Sequence, residues 1–189
     1  MTAKKRFSQI RSEMWLDDEW RRMTVAGQHL YLLVLTHPER SLAGLLDWRP
    51  GRIKEFAAEW TFTDVMIAAG ECSDKFFLVF DQDTEEVLVR SFVRHDGILK
   101  QPRMGVAVAN AFGSIGSNKL RGVLVHELMK LRSEQPDLTA WDSPQMKTVL
   151  RQNPVNAKEI DTELEWPLGV ELPVTLGVPL GVPREVANR

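Results

Sequence analysis

Apolar and polar residues follow two rhythms along this chain, and the change of rhythm divides it. In "TVAGQHLYLLVLTHP", Leu30, Leu33 and Val34 share one helical face, with Tyr31 and Leu35 flanking it. Thr24 caps this helix and Pro38 stops it. "LAGLLDW" is too short for a helix and predicts a strand over 44–48. "RPGRIKEFAAEW" returns to helical spacing through Ile53, Phe56, Ala57 and Trp60. "TFTDVMIAAGEC" predicts another helix, with Thr63 as N-cap, Asp64 in its first turn and Val65, Ile67 and Ala68 facing inward. The period then falls to two. "KFFLVFD" and "EVLVRSFV" flank the polar "DQDTEE", which predicts a β-hairpin with a charged tip. That alternation puts Val89, Ser91 and Val93 on one face of the second strand and Arg90, Phe92 and Arg94 on the other.

Beyond Lys100 the helical period resumes. "QPRMGVAVANAFG" predicts a helix of small residues ending at Gly113. "SNKLRGVLVHELMKLRSEQP" repeats Leu120, Val123, Leu124, Glu127, Leu128 and Leu131, with Ser117 as N-cap and Pro136 past the end. A third, short helix is expected over 144–150. From Pro154 the near-repeat "LGVELPVTLGVPLGVP" excludes a helix, because its spaced prolines remove donors and clash. This predicts an extended tail, either passive or docking strand-like on a partner, with Trp166 as the aromatic suited to docking.

Helix, short strand, helix, helix, hairpin is the order of a winged helix-turn-helix. The expected fold is therefore mainly α with a small β-hairpin. It comprises a winged helix-turn-helix domain at 12–98, a helical extension at 99–153 and a flexible acidic tail at 154–189. The extension packs on the winged domain, forms a small bundle or makes a homodimer.

Composition narrows the functional classes. A chain of 189 residues, 43% hydrophobic and 26% charged, can bury a real core. Its net charge of −2 gives no chain-wide attraction to nucleic acid or acidic membranes, so any such footprint must be local. The tail carries three cations against six acids, leaving residues 1–153 slightly basic. The single cysteine, Cys72, cannot form an internal disulfide and is expected as core or surface filler, in keeping with a cytoplasmic setting. The basic N-terminus lacks an apolar signal-peptide core, and no run is long enough to span a membrane. Trp15, Trp20, Trp48 and Trp60 are expected in the core or at its edge.

The phrases "MWLDDEW", "AGQHLYLLVLTHPERSLAGLLDWRPGRIKEFA" and "TEEVLVRSFVRHDGILKQP" resemble the N-terminal region of actinobacterial phage and prophage helix-turn-helix, replication-initiation-like proteins. More distantly they are similar to the winged-helix part of DnaD-type primosomal proteins and phage replisome organisers. The resemblance covers residues 12–133 and is most specific in "LVRSFVRHDG" and "LYL". It implies a DNA-associated role in replication initiation or transcription regulation.

The third helix of a winged domain usually enters the major groove. Here Thr63–Cys72 holds Asp64 and Glu71 and no Lys or Arg, whereas base readout favours Arg, Lys, Asn or Gln. Only Thr61 and Thr63 at its entrance and Lys75 after it are placed to touch DNA. Arg49, Arg52 and Lys54 on the preceding helix suit phosphate contact instead.

The remaining candidates lie around the hairpin exit: Arg90, Arg94, His95, Lys100 and Arg103. With Asp96 they give this stretch a net charge of +3. They either face a phosphate backbone or form a solvated strand with Arg94 paired to Asp96. Lys119, Arg121, Lys130 and Arg132 are expected on a solvated helix face.

Three further phrases carry no catalytic expectation. "HELMK" lacks the second His of a zinc motif, and "FGSIGSNK" lacks P-loop spacing and is expected as a helix break followed by a cap. His95-Asp96-Gly97 is first a turn. The sequence thus points to a non-enzymatic protein without cofactor or metal. Its expected partner is double-stranded DNA or, alternatively, a host or phage replication protein docked on the weakly charged third helix. No membrane association is expected.

Overall fold

The computed structural model describes residues 8–101, 103–161, 164 and 165. A 3-10 turn over Ser12–Leu16 leads into the short α1 (Asp18–Arg21), whose N-cap Asp17 accepts the Trp20 N–H at 3.0 Å. In α2 (Val25–Thr36), Thr24 caps as expected by accepting the Gly27 N–H. Glu71 then reaches back from α4 (Phe62–Asp74) and accepts both the backbone N–H and the hydroxyl of Thr24, at 2.8 and 2.7 Å. Gly27 makes this close approach feasible, since a Cβ there would stand 2.3 Å from the Glu71 carboxylate. Cys72 lies beside it, fully buried, with its thiol donating to the Gly27 carbonyl.

Between α2 and α4 come β1 (Leu45–Asp47) and α3 (Pro50–Ile53), which starts on a proline in its first turn. A 3-10 turn over Lys54–Phe56 follows, and the helical pattern then stops. Ala57 is extended and Glu59 is left-handed, so the expected longer helix does not form and Phe56 stays 54% exposed. The N-cap of α4 is Thr61, not Thr63. Thr61 and Asp64 satisfy each other's backbone N–H groups in a capping box, which fixes the start two residues early. Ile67, expected inside, is 43% exposed. The inner face runs through Val65, Met66, Ala68, Ala69 and Cys72, the spacing a 3.6-residue turn requires.

The hairpin is β2 (Leu78–Asp81) and β3 (Glu86–Val89). β1 joins it on the other side, giving a three-stranded antiparallel sheet in the order β1-β3-β2, with Leu46 and Phe80 both opposite Val87. The second hairpin strand is shorter than its alternating pattern suggests. It ends at Val89, and Phe92–His95 coil into a helical turn, α5. The ladder runs out of partners there, with last pairs Leu45–Leu88 and Leu78–Val89, and beyond it Phe92 lies buried under the Arg40 guanidinium at 3.8 Å. The expected split of Arg90, Phe92 and Arg94 onto one face is therefore wrong.

The second half follows its periodicity closely. It comprises α6 (Met104–Gly113), α7 (Asn118–Glu134), capped by Ser117, and α8 (Pro144–Val149). Gly105 lets α6 close on Ala140, whose carbonyl oxygen would lie 2.6 Å from an added Cβ. Residues 155–161, expected as the start of the tail, lie against this layer, with Ala157 buried. The core is continuous across both halves. Trp20, Trp48 and Trp141 are buried and Trp60 packs at its edge, while Trp15 is exposed and meets Trp20 edge-on. Trp166 and the "LGVELPVTLGVPLGVP" stretch lie outside the described residues. Among the described residues no helix is long and apolar enough to cross a membrane.

Candidate nucleic-acid interface

The arginines of the hairpin exit turn toward α7. Arg90 donates from Nε to the Phe76 carbonyl at 2.6 Å and from Nη1 to Glu127 Oε1 at 3.2 Å. Arg94 reaches the other oxygen of Glu127 at 3.4 Å and Glu134 at 2.8 Å. Glu127 is 2% exposed, so a single buried carboxylate sits between two guanidinium groups. Removing a charge of that kind from water is costly unless it is paired, and here it is paired twice. The expected Arg94–Asp96 pair is absent; Asp96 instead accepts the Gln9 backbone N–H. Sequence reasoning missed Glu127 as a partner, although one signal was present: it is an acid on the apolar stripe of α7.

The acids of the hairpin anchor the same helix at its other end. Glu86, buried in β3, accepts the Gly116 and Ser117 N–H groups at 2.8 Å each. The Ser117 hydroxyl also donates to Asp81. The glycine-containing "FGSIGSNK" segment thus does cradle an anion, but the anion is the chain's own carboxylate placed at a helix N-terminus. The hairpin tip keeps Asp83 and Glu85 exposed, which repels a phosphate backbone. Gln82 pairs its side-chain amide with both backbone groups of Glu165, at 2.9 and 2.6 Å, bringing another acid to the tip.

The remaining candidates stand elsewhere. Arg49 and Arg52 are exposed and Lys54 half-exposed, all around α3. Arg49 pairs with Asp47 at 3.0 Å and Lys54 with Glu55 at 3.5 Å, both across solvent, where such pairs are weak and exchange readily. At the start of α4 the Thr61 hydroxyl is engaged by Asp64, whose carboxyl this bond holds below its usual range, while Thr63 is half-exposed. Lys75 pairs with Glu19 at 3.5 Å. Lys100 and Arg103 are exposed, and Arg103 adopts a left-handed conformation at the N-cap of α6. The structure therefore does not bring the eleven candidates together on one face. It leaves the α3 cations beside the α4 entrance and draws Arg90 and Arg94 into an internal network.

His95 borders a cavity of about 260 Å³ between the N-terminal segment and α2, shared with Tyr31, Phe77 and Arg90. Partial burial, with Arg94 and Arg11 nearby, holds its imidazole below the ordinary value. Burial pushes the Tyr31 phenol up to about 12, against the opposing effect of its Ser91 hydrogen bond, so it stays protonated.

No family model, curated protein or solved structure matches the chain.

Proposed function

We propose that the chain is a non-enzymatic winged-helix protein that binds double-stranded DNA mainly through phosphates, in a phage or prophage setting of replication initiation or transcription control. The order α2, β1, α3, α4, β2, β3, with β1 paired to β3, supports a winged reading. The observation that carries the DNA reading is the position of Arg49, Arg52 and Lys54, cations open to solvent around α3, which packs against α4. The contact would be sequence-tolerant, because α4 offers no cation for base edges. The acidic hairpin tip takes no part in it, and a homodimer through the helical extension would double a small footprint.

The test is fluorescence anisotropy of a labelled duplex at low and moderate salt. The full chain should bind at low salt and weaken steeply as salt rises, and Arg49→Glu/Arg52→Glu/Lys54→Glu should abolish binding. Undiminished binding by that variant overturns the assignment. A second reading, a docking module for a host or replisome protein, is favoured by the exposed Ile67 on the cation-free α4. It predicts a captured partner that Ile67→Asp releases.

A further inference from the structure

The first turn of α7 faces the turn that follows α8 across a shallow, open concavity of about 410 Å³. Its lining is Asn118, Arg121, Gly122, Arg151, Gln152 and Asn153: two guanidinium groups, three carboxamides and no acid. Among the described residues none of these five side chains has a hydrogen-bond or ion-pair partner, and Arg121 meets only the Phe112 ring, at 5.9 Å. With no acid beside them, the accessible donors of the two guanidinium groups and three carboxamides lining the concavity are open to an outside acceptor.

The walls are held together by a close backbone approach. The Val155 N–H donates to the Gly122 carbonyl at 2.9 Å. A Cβ on residue 122 would lie 2.4 Å from Val155 Cγ2 and 3.4 Å from the Asn153 oxygen. Only glycine lets residues 153–155 settle on α7 and bring Arg151 and Asn153 to Arg121. Glycine weakens a helix interior, and here that weakness permits the juxtaposition.

We propose that this concavity binds a phosphate group. Guanidinium groups match phosphate oxygens in a planar, two-pronged fashion. Together with three carboxamides they offer more donors than the two oxygens of a carboxylate can accept. Glu86 already occupies the α7 N-terminus, so the attraction comes from the side chains and not from the helix dipole. The openness of the site suits a phosphate presented by a larger molecule, either a polynucleotide backbone or a free nucleotide. The site is separate from the α3–α4 edge and does not depend on it.

The experiment titrates the full chain with a labelled single strand and a duplex of about 20 nucleotides, and separately with ATP and inorganic phosphate read by thermal shift. Arg121→Gln/Arg151→Gln is the variant, and Arg151→Gln alone, at an exposed position, serves where the double variant loses stability. A fall in affinity of about tenfold, with a salt dependence shallower by about one to two phosphates, is expected in the polynucleotide arm. Loss confined to the ATP and phosphate arm assigns the same site to a free nucleotide. Equal binding by wild type and variant in every arm, or no binding of any probe by wild type, overturns the proposal. The α3 triple reversal is measured alongside. A loss seen only there removes the concavity and leaves the α3–α4 edge standing, and the converse removes the edge.

Discussion

Two pairs of arginines in this molecule have the same chemistry and opposite fates. Arg90 and Arg94 lie in a stretch of basic sequence character, yet both are consumed by Glu127, with Glu134 and the Phe76 carbonyl completing the network. Arg121 and Arg151 come from segments 30 positions apart and meet beside three free carboxamides with no acid. Local charge density does not decide whether a guanidinium is available. What decides it is whether a distant element delivers a desolvated carboxylate, because such a carboxylate needs its cations more than water does. The first pair fastens the front half of the chain to α7; the second pair remains available to an outside anion.

The strongest way to break this contrast is Glu127→Ala, which leaves two guanidinium groups close together without their acid. We expect a loss of about 3 kcal/mol in urea unfolding, the low end for disrupting a buried pair because both arginines keep some solvent contact. A loss under about 1 kcal/mol would falsify the fastening role. Gly122→Ala should cost about 2 kcal/mol by overpacking against Val155, outweighing the gain in helix propensity, and should weaken phosphate binding at the concavity as well.

A smaller effect is expected at His95. Its folded pKa is depressed below 6.5, so the folded state binds fewer protons than the unfolded one as pH falls through that value. Stability should decline from pH 7.5 toward 5.5, and His95→Gln should flatten part of that slope in urea melts at the two pH values. The smallest effect sharpens the other side of the contrast. Arg151→Gln should leave unfolding within about 0.5 kcal/mol of wild type, since its side chain supports nothing internal.

The elements with strong local signals were legible in the sequence. Ser117 caps α7, α6 stops at Gly113 and Thr24 caps α2, because caps and periodic faces are set by neighbours in sequence. The stretch after Val89 was not. "RSFVRH" alternates like a strand, but its ladder partners end at Leu45 and Leu78, and Phe92 packs under Arg40. Propensity yields there to tertiary packing. Of the candidate residues, the cations around α3 were legible from their place in the sequence, and they are open to solvent. The engagement of Arg90 by a residue 37 positions away was not, although Glu127 on an apolar stripe gave a hint. The meeting of Asn118 with Arg151–Asn153 left no trace in local pattern, because it depends on a glycine that admits a neighbouring backbone.

The single thiol adds a practical consequence. Cys72 is fully buried where α4 meets α2, its thiol donates to the Gly27 carbonyl, and burial pushes its pKa upward. A thiol in that state does not react until the two helices part. The chain thus carries its own clock: the rate at which an added thiol reagent labels it reads how often the α2–α4 seam opens. A bound anion that tightens the fold elsewhere would slow that clock without touching it.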